Sequence, residues 1–211
     1  MKHHQNIVRD EQALWNRFLE GDNEALASLF SEYFSDLFSY GMKLVPQEAM
    51  VRDLIQDLFV RFWEKRGNLK QVKNVKVYML ISLKNDLLQM YRHNNNVILD
   101  AEEVDNQFEI SVEDIWIESE KTKALSEKIV TCLNSLTSRQ REIIYLRFYL
   151  NLDFSNLSEM LGMNIQSVRN LLFRALEKIR SEIASDDIEL SNVEVFLFVL
   201  FSKNRMNSSP K

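Results

Sequence analysis

Side chains able to do covalent or acid–base chemistry are few in this chain: His3, His4, His93 and the single Cys132. His3 and His4 fall in a start, MKHHQNIVRDE, that is expected to be disordered. His93 closes a stretch of helical periodicity, where a cation suits the helix dipole. Cys132 shares an apolar stripe with Ile129, Leu133 and Leu136 and reads as core. The sequence has no phosphate loop, nucleophile elbow or metal-ligand spacing, so neither an enzyme nor a bound metal or cofactor is expected. What the chain does offer is hydrogen bonding by amides, hydroxyls and guanidiniums. Asn164, Gln166, Ser167, Arg169, Asn170 and Arg174 crowd one short stretch, and such groups reach base edges and phosphates.

The pattern around them indicates what must hold them. Residues 154–180, FSNLSEMLGMNIQSVRNLLFRALEKIR, read as two helices joined by a tight turn. One apolar stripe (Leu157, Met160, Leu161) is interrupted at Gly162, and a second runs through Ile165, Val168, Leu172, Ala175, Leu176 and Ile179. Gly162 suits the positive φ of the turn, and small Ser158 suits a close helix crossing. These are the requirements of a helix-turn-helix that reads DNA. On this stretch alone, an ordinary helical hairpin stays open as the alternative.

Further helices are expected over 10–19, 23–45 with Asn23 as cap, 47–66 after Pro46, 74–93, 113–133 and 138–149. Thr137, with Gln140 three residues on, has the spacing of a capping box for the last of these. With only four glycines and two prolines, the chain is predicted to be all-α, with two small helical domains. Asn94-Asn95-Asn96 breaks the pattern, giving a first domain over 10–95 and a linker over 96–120. A second domain with the helix-turn-helix follows over 121–184, then an extension over 185–211. Residues 97–120 hold nine acids and no Lys or Arg, the mark of a flexible acidic linker, although Phe108 and Ile110 give it apolar material to lay on a surface. The start lacks the apolar region of a secretory signal. The longest apolar run, 193–201, falls far short of the roughly 20 residues that span a membrane. A cytoplasmic protein without membrane insertion is expected, and a lone cysteine fits that reducing compartment.

The net charge of −5 hides an uneven distribution. Residues 65–96 hold Lys65, Arg66, Lys70, Lys73, Lys76, Lys84 and Arg92 against one acid, Asp86. Residues 137–180 hold Arg139, Arg141, Arg147, Arg169, Arg174, Lys178 and Arg180 against four acids. Two basic stretches on an acidic chain suggest two contacts with a polyanion. Before the first of them, Asp53, Gln56, Asp57 and Arg61 recur at three- and four-residue steps and share a polar helix face. The aromatic end of that helix (Phe59, Phe62, Trp63) leads into the basic loop, a combination that single-stranded nucleic acid binding uses. Phe59 and Phe62 are assigned to the core.

Four blocks, GDNEALASLFSEYFSDLF, DLIQDLFVRFWEKR, KVYMLISLKNDLLQMYRH and the run from LNSLTSRQRE to Arg180, resemble in order and spacing the bacterial sigma-70 family, specifically its extracytoplasmic-function (ECF) group. The resemblance covers about residues 10–183. It implies a promoter-specificity subunit whose partners are core RNA polymerase and promoter DNA, with an anti-sigma factor as a further possible partner. DLIQD resembles the segment that grips the clamp of the polymerase largest subunit, which points to Asp53, Gln56, Asp57 and Arg61. The loop and helix after it resemble the −10 element binder, with Trp63, Arg66, Asn68, Lys73, Asn74, Lys76, Lys84 and Arg92 as candidates. For the −35 element the candidates are Asn164, Gln166, Ser167, Arg169, Asn170 and Arg174, with Arg139 and Arg141 on phosphates. The acidic linker is similar to the one that in this family threads toward the polymerase active-site and RNA-exit channels.

The recognition helix departs from the family pattern at Leu171 and Phe173, where many relatives carry Arg and His. The apolar run 193–201 lies beyond the shared blocks and reads either as a last element covering the second domain or as a docking segment for an inhibitory partner. Two other readings stay open at this point. One is a stand-alone helix-turn-helix regulator with an N-terminal helical interaction domain, and the other is a helical scaffold that binds only protein.

Overall fold

With so few glycines and prolines to interrupt it, the backbone is helical almost wherever it is described. A computed structural model describes residues 2–95, 108–111, 129–184 and positions 194, 197 and 201; side chains are described over 11–90, 108–111 and 129–182 and at those three positions. No strand occurs among the described residues. The chain divides into two units, Met1–Leu99 and Asp100–Lys211.

The first unit is built from α1 (Lys2–Leu19), α2 (Asn23–Leu44), α3 (Glu48–Lys65) and α4 (Val75–Asn95). Trp15, Phe18, Leu29, Leu37, Tyr40, Val51, Ile55, Leu58, Leu80 and Leu83 are all at most 1% exposed and form its core. Each of the four helices contributes to that set, so each gains its stability by packing an apolar face against the others. Gly41 lets α2 and α3 approach closely, since a Cβ there would lie 2.6 Å from Cγ1 of Val51. Phe59 and Phe62 are core, as expected.

Two expectations change here. Helix α1 begins at Lys2 rather than near residue 10, because nothing from 2 to 19 breaks a helix. The cap of α2 is Asp22, not Asn23: its carboxylate accepts from the Glu24 and Ala25 amides at 2.8 and 3.2 Å. Arg17 also binds that carboxylate at 2.6 Å and, with these amides, holds it below its ordinary pKa.

In the second unit, residues 129–135 are helical, followed by α5 (Ser138–Ile144), α6 (Phe154–Leu161) and α7 (Ile165–Ala184). The expected helices overlap these, except that 113–128 lies outside the described residues, as do 96–107 and 112–120 of the linker. Thr137 opens α5 with the capping box expected from its spacing. Helix α5 does not stay regular to Tyr149; Tyr145–Tyr149 forms a π-turn, with the Leu150 amide bonded to the Tyr145 carbonyl at 3.1 Å. The acidic linker is not solvated throughout, since Phe108 and Ile110 are each 1% exposed and belong to the second core. Leu197 and Phe201 are fully buried as well. The apolar run therefore supplies a last piece of packing for this unit.

Leu157, Leu161, Val168 and Leu172 close the angle between α6 and α7. Gly162 turns the chain at φ 63° and ψ 32°, its amide bonded to Glu159 O and that of Met163 to Ser158 O at 3.0 Å. A Cβ on Gly162 would meet nothing within 4 Å, so replacing it carries only the backbone cost of a left-handed residue. Gly162→Val is expected to lower unfolding stability by about 1–2 kcal/mol in urea titrations. Gly162→Asn should cost less than half as much, because Asn tolerates this conformation.

Candidate nucleic-acid interfaces

Helix α3 presents Asp53, Gln56 and Asp57 to solvent on one face, and Val60, 57% exposed, continues the row. Arg61 leaves that row. Its guanidinium pairs with Asp86 of α4 at the mouth of a cleft of about 270 Å³. Phe62, Lys65, Leu69, Tyr78, Ser82 and Asn85 complete the lining. Tyr78 stacks on Phe62, ring centres 5.3 Å apart and planes 19° from parallel, and burial raises its phenol pKa. The cleft thus joins an aromatic floor to a polar rim. Tyr78, Ser82 and Asn85 were not singled out from the sequence, though their spacing along α4 was readable there.

The basic loop after α3 is held from beneath by α1. Gln12 donates to the carbonyl of Val72 at 2.9 Å, Trp15 Nε1 donates to that of Lys70 at 3.3 Å, and Gln71 donates to the Asn16 side chain. Positions 12, 15 and 16 are one turn of helix, so a single face of α1 fixes the loop. Held this way, the loop leaves Asn68, Lys70 and Lys73 exposed. Asn74 plays a structural part, for its Oδ1 accepts from the Val77 amide at 2.9 Å and caps α4. Trp63 is half-buried against Phe18, and the Arg66 guanidinium lies over its ring at 4.2 Å while donating to its carbonyl at 2.6 Å.

Charge alone misjudges Lys76. It was expected on phosphates, yet its ammonium bonds Asp36 of α2 at 2.7 Å, with side chains 13% and 7% exposed. It is an internal strut between α2 and α4. Lys84 is half-buried, and Arg92 lies in α4 beyond the last residue whose side chain is described.

In the second unit, α7 turns Gln166, Arg169, Asn170 and Arg174 outward, with Ser167 half-buried beside them. Asn164 caps the helix, its Oδ1 accepting from the Ser167 amide at 2.8 Å. Gln166 donates to Asn170 at 3.1 Å, so the two amides are pre-aligned. Phe154 at the start of α6 has Arg147 and Arg169 over its ring at 5.4 and 5.3 Å, which aims Arg169 before any ligand arrives. Leu171 is core, at 8% exposure, whereas Phe173 is 62% exposed on the outward face.

Arg139 and Arg141 were also expected on phosphates, and both are committed to the protein. Arg139 pairs with buried Glu142 at 3.0 Å and donates to the Leu161 carbonyl at 2.6 Å. Arg141 donates to the carbonyls of Phe108, Asn134 and Leu136. Burial lowers its pKa, an effect opposed by nearby Glu109. Burial likewise pushes the Cys132 thiol up to about 12, which leaves it protonated and unreactive near neutral pH.

Comparison with known proteins matches this layout. The model for sigma-70 region 2 covers residues 29–97, and that for sigma-70 region 4 covers 126–179, together more than half the chain. The chain belongs to the sigma-70 family. Among relatives within the family, the ECF RNA polymerase sigma factor SigK of Mycobacterium tuberculosis (strain H37Rv) is 22% identical over 181 residues, covering 83% of this chain and 94% of that one. The RNA polymerase sigma-E factor of Streptomyces avermitilis is 24% identical over 152 residues, covering 72% and 81%. The solved structure of CnrH in complex with the cytosolic domain of CnrY shares the fold, with TM-score 0.56 at 16% identity and coverage of 84% and 99%. So does that of the sigma factor RpoE with the anti-sigma factor NepR from Bartonella quintana, with TM-score 0.51 at 17% identity and coverage of 76% and 97%. The resemblance read from the four sequence blocks is borne out. No helix among the described residues is long and apolar enough to cross a membrane.

The internal role of Lys76 is testable by stability. Lys76→Ala removes the ion pair with buried Asp36 and is expected to destabilise the first unit by about 3 kcal/mol. Lys73→Ala, at an exposed site, should stay within about 0.5 kcal/mol in the same urea titration.

Proposed function

We propose that the protein is a sigma factor of the ECF group, which binds core RNA polymerase, directs it to specific promoters for transcription initiation, and itself catalyses nothing. The observation that carries this reading is the pairing, in one chain and in order, of sigma-70 regions 2 and 4, each with an exposed polar or basic surface. A stand-alone regulator would have no use for the first of these. The cellular setting is the cytoplasm, where polymerase and promoter DNA are found.

The division of labour follows from what each surface exposes. The acidic row Asp53, Gln56 and Asp57 is the polymerase contact. The loop bearing Asn68, Lys70 and Lys73, with the neighbouring Arg61–Asp86 cleft, takes the −10 element. Its aromatic floor of Phe62 and Tyr78 is suited to an unstacked base. Gln166, Arg169, Asn170 and Arg174 read the −35 element from the major groove. Two solved relatives carry protein partners in their complexes, one of them described as an anti-sigma factor, and an inhibitor of that kind is the natural regulator here.

Run-off transcription with purified core polymerase tests the proposal. The protein should program core enzyme to start at discrete promoters, and binding DNA alone without ever programming core would refute it. Within that assay, Arg169→Ala is expected to reduce −35-dependent initiation about tenfold or more while leaving core binding intact, as loss of one base-edge contact does. Asp57→Ala should weaken core binding and spare DNA recognition by the assembled holoenzyme. Equal loss of both activities in each variant would count against the separation of surfaces.

A further inference from the structure

Two segments outside the stretch matched to region 4 place side chains in the core of the second unit, Phe108 and Ile110 from one and Leu197 and Phe201 from the other. They meet at one side chain. Phe108 sits edge-on to Tyr145, ring centres 5.5 Å apart at 69°, and Phe201 sits edge-on to the same ring at 6.5 Å and 76°. Phe201 also meets Tyr149 at 6.1 Å and 84°, while Tyr145 and Tyr149 stack at 4.5 Å. All four rings are at most 6% exposed. Tyr145 and Tyr149 belong to the π-turn, the kind of helix irregularity that often marks a functional position.

The docked end of the linker is held by its backbone as well as its side chains. The Asn134 amide gives to the Ile110 carbonyl at 2.9 Å and accepts from the Ile110 amide at 3.2 Å, as a neighbouring strand would. Arg141 holds the Phe108 carbonyl. A docked segment of four residues has little area of its own, so it depends on the wall it lies against. That wall is Tyr145, whose position depends in turn on Phe201.

We infer that the C-terminal tail is an intramolecular latch for the linker: the segment 108–111 stays docked on the second unit only while Phe201 and Leu197 are seated. Removing Phe201 opens a void beside Tyr145, which relaxes into it and withdraws the surface that Phe108 packs against. The coupling is reciprocal, because both segments bias the same pair of rings. Because 108–111 belongs to the acidic linker, the tail sets whether that segment is docked on the second unit or released. The inference holds for the free chain and does not rest on the proposed function.

Hydrogen exchange of the full chain, read by mass spectrometry, tests it. Phe201→Ala should speed exchange of the Ile110 amide about tenfold, with the amides of α7 unchanged. Asn134→Ala removes the side-chain amide that binds Ile110 and should speed exchange across 194–201 by a similar factor. The inference is overturned if each variant loosens only its own segment. Should Phe201→Ala unfold the unit, seen as lost protection in α7, Asn134→Ala decides alone, since its side chain is exposed and the substitution disturbs no core.

Discussion

Where no strand is present among the described residues to pair the loops, every backbone carbonyl left over where a helix stops must find another partner. Much of this structure is a set of answers to that constraint. Gln12 and Trp15 take the carbonyls of the basic loop, Arg66 takes that of Trp63, and Arg147 takes that of Leu152. Arg139 takes the carbonyl at the end of α6, and Arg141 gathers three from separate turns. Each bond is worth only about 1 kcal/mol net, but a buried carbonyl left without one costs more than that. The surfaces that face a ligand can be rigid because the backbone behind them is already satisfied.

That arrangement bears directly on recognition. A loop presented to a flexible single strand loses affinity if it must be ordered on binding. Here one turn of α1 orders it beforehand. In the second unit, Asn164 and Gly162 set the start of α7 and the turn before it, and Phe154 holds Arg169 over its face. These residues do the positioning, and Arg169, Asn170 and Arg174 are held exposed on the outward face of α7.

Helix positions, the helix-turn-helix and the family were all legible in the sequence, because apolar spacing, one glycine and four ordered blocks each point the same way. The capping box at Thr137 was equally plain. The cap of α2 was misread by one residue, since Asp22 and Asn23 are both competent caps and only the helix register separates them. The π-turn left no mark, because its residues keep the spacing of an ordinary helix. The docking of Phe108 and Phe201 was legible only in outline. Their apolar character suggested that each lies on a surface, but which surface depends on contacts between positions far apart in sequence, and Tyr145 as the shared partner left no local mark.

The cations that the structure ties to the protein itself share one physical feature. Charge runs in the sequence treat each Lys or Arg alike, but their surroundings differ. Arg139 and Arg141 reach carbonyls outside their own helix, Arg66 reaches that of Trp63 in the last turn of α3, and Lys76 stands where α2 buries a carboxylate. Arg169 and Arg174 stand inside α7 and remain exposed, Arg169 over the Phe154 ring and Arg174 donating from Nε to the Asn170 carbonyl at 3.3 Å. The bonds and burial that the fold gives a cation, more than its place in a charge run, therefore separate a strut from an exposed charge. The exposed charge of the second unit is thus smaller than its basic composition suggests. The outward face of α7 carries amides and the exposed ring of Phe173 beside its two arginines, a mixture that no charge count would have shown.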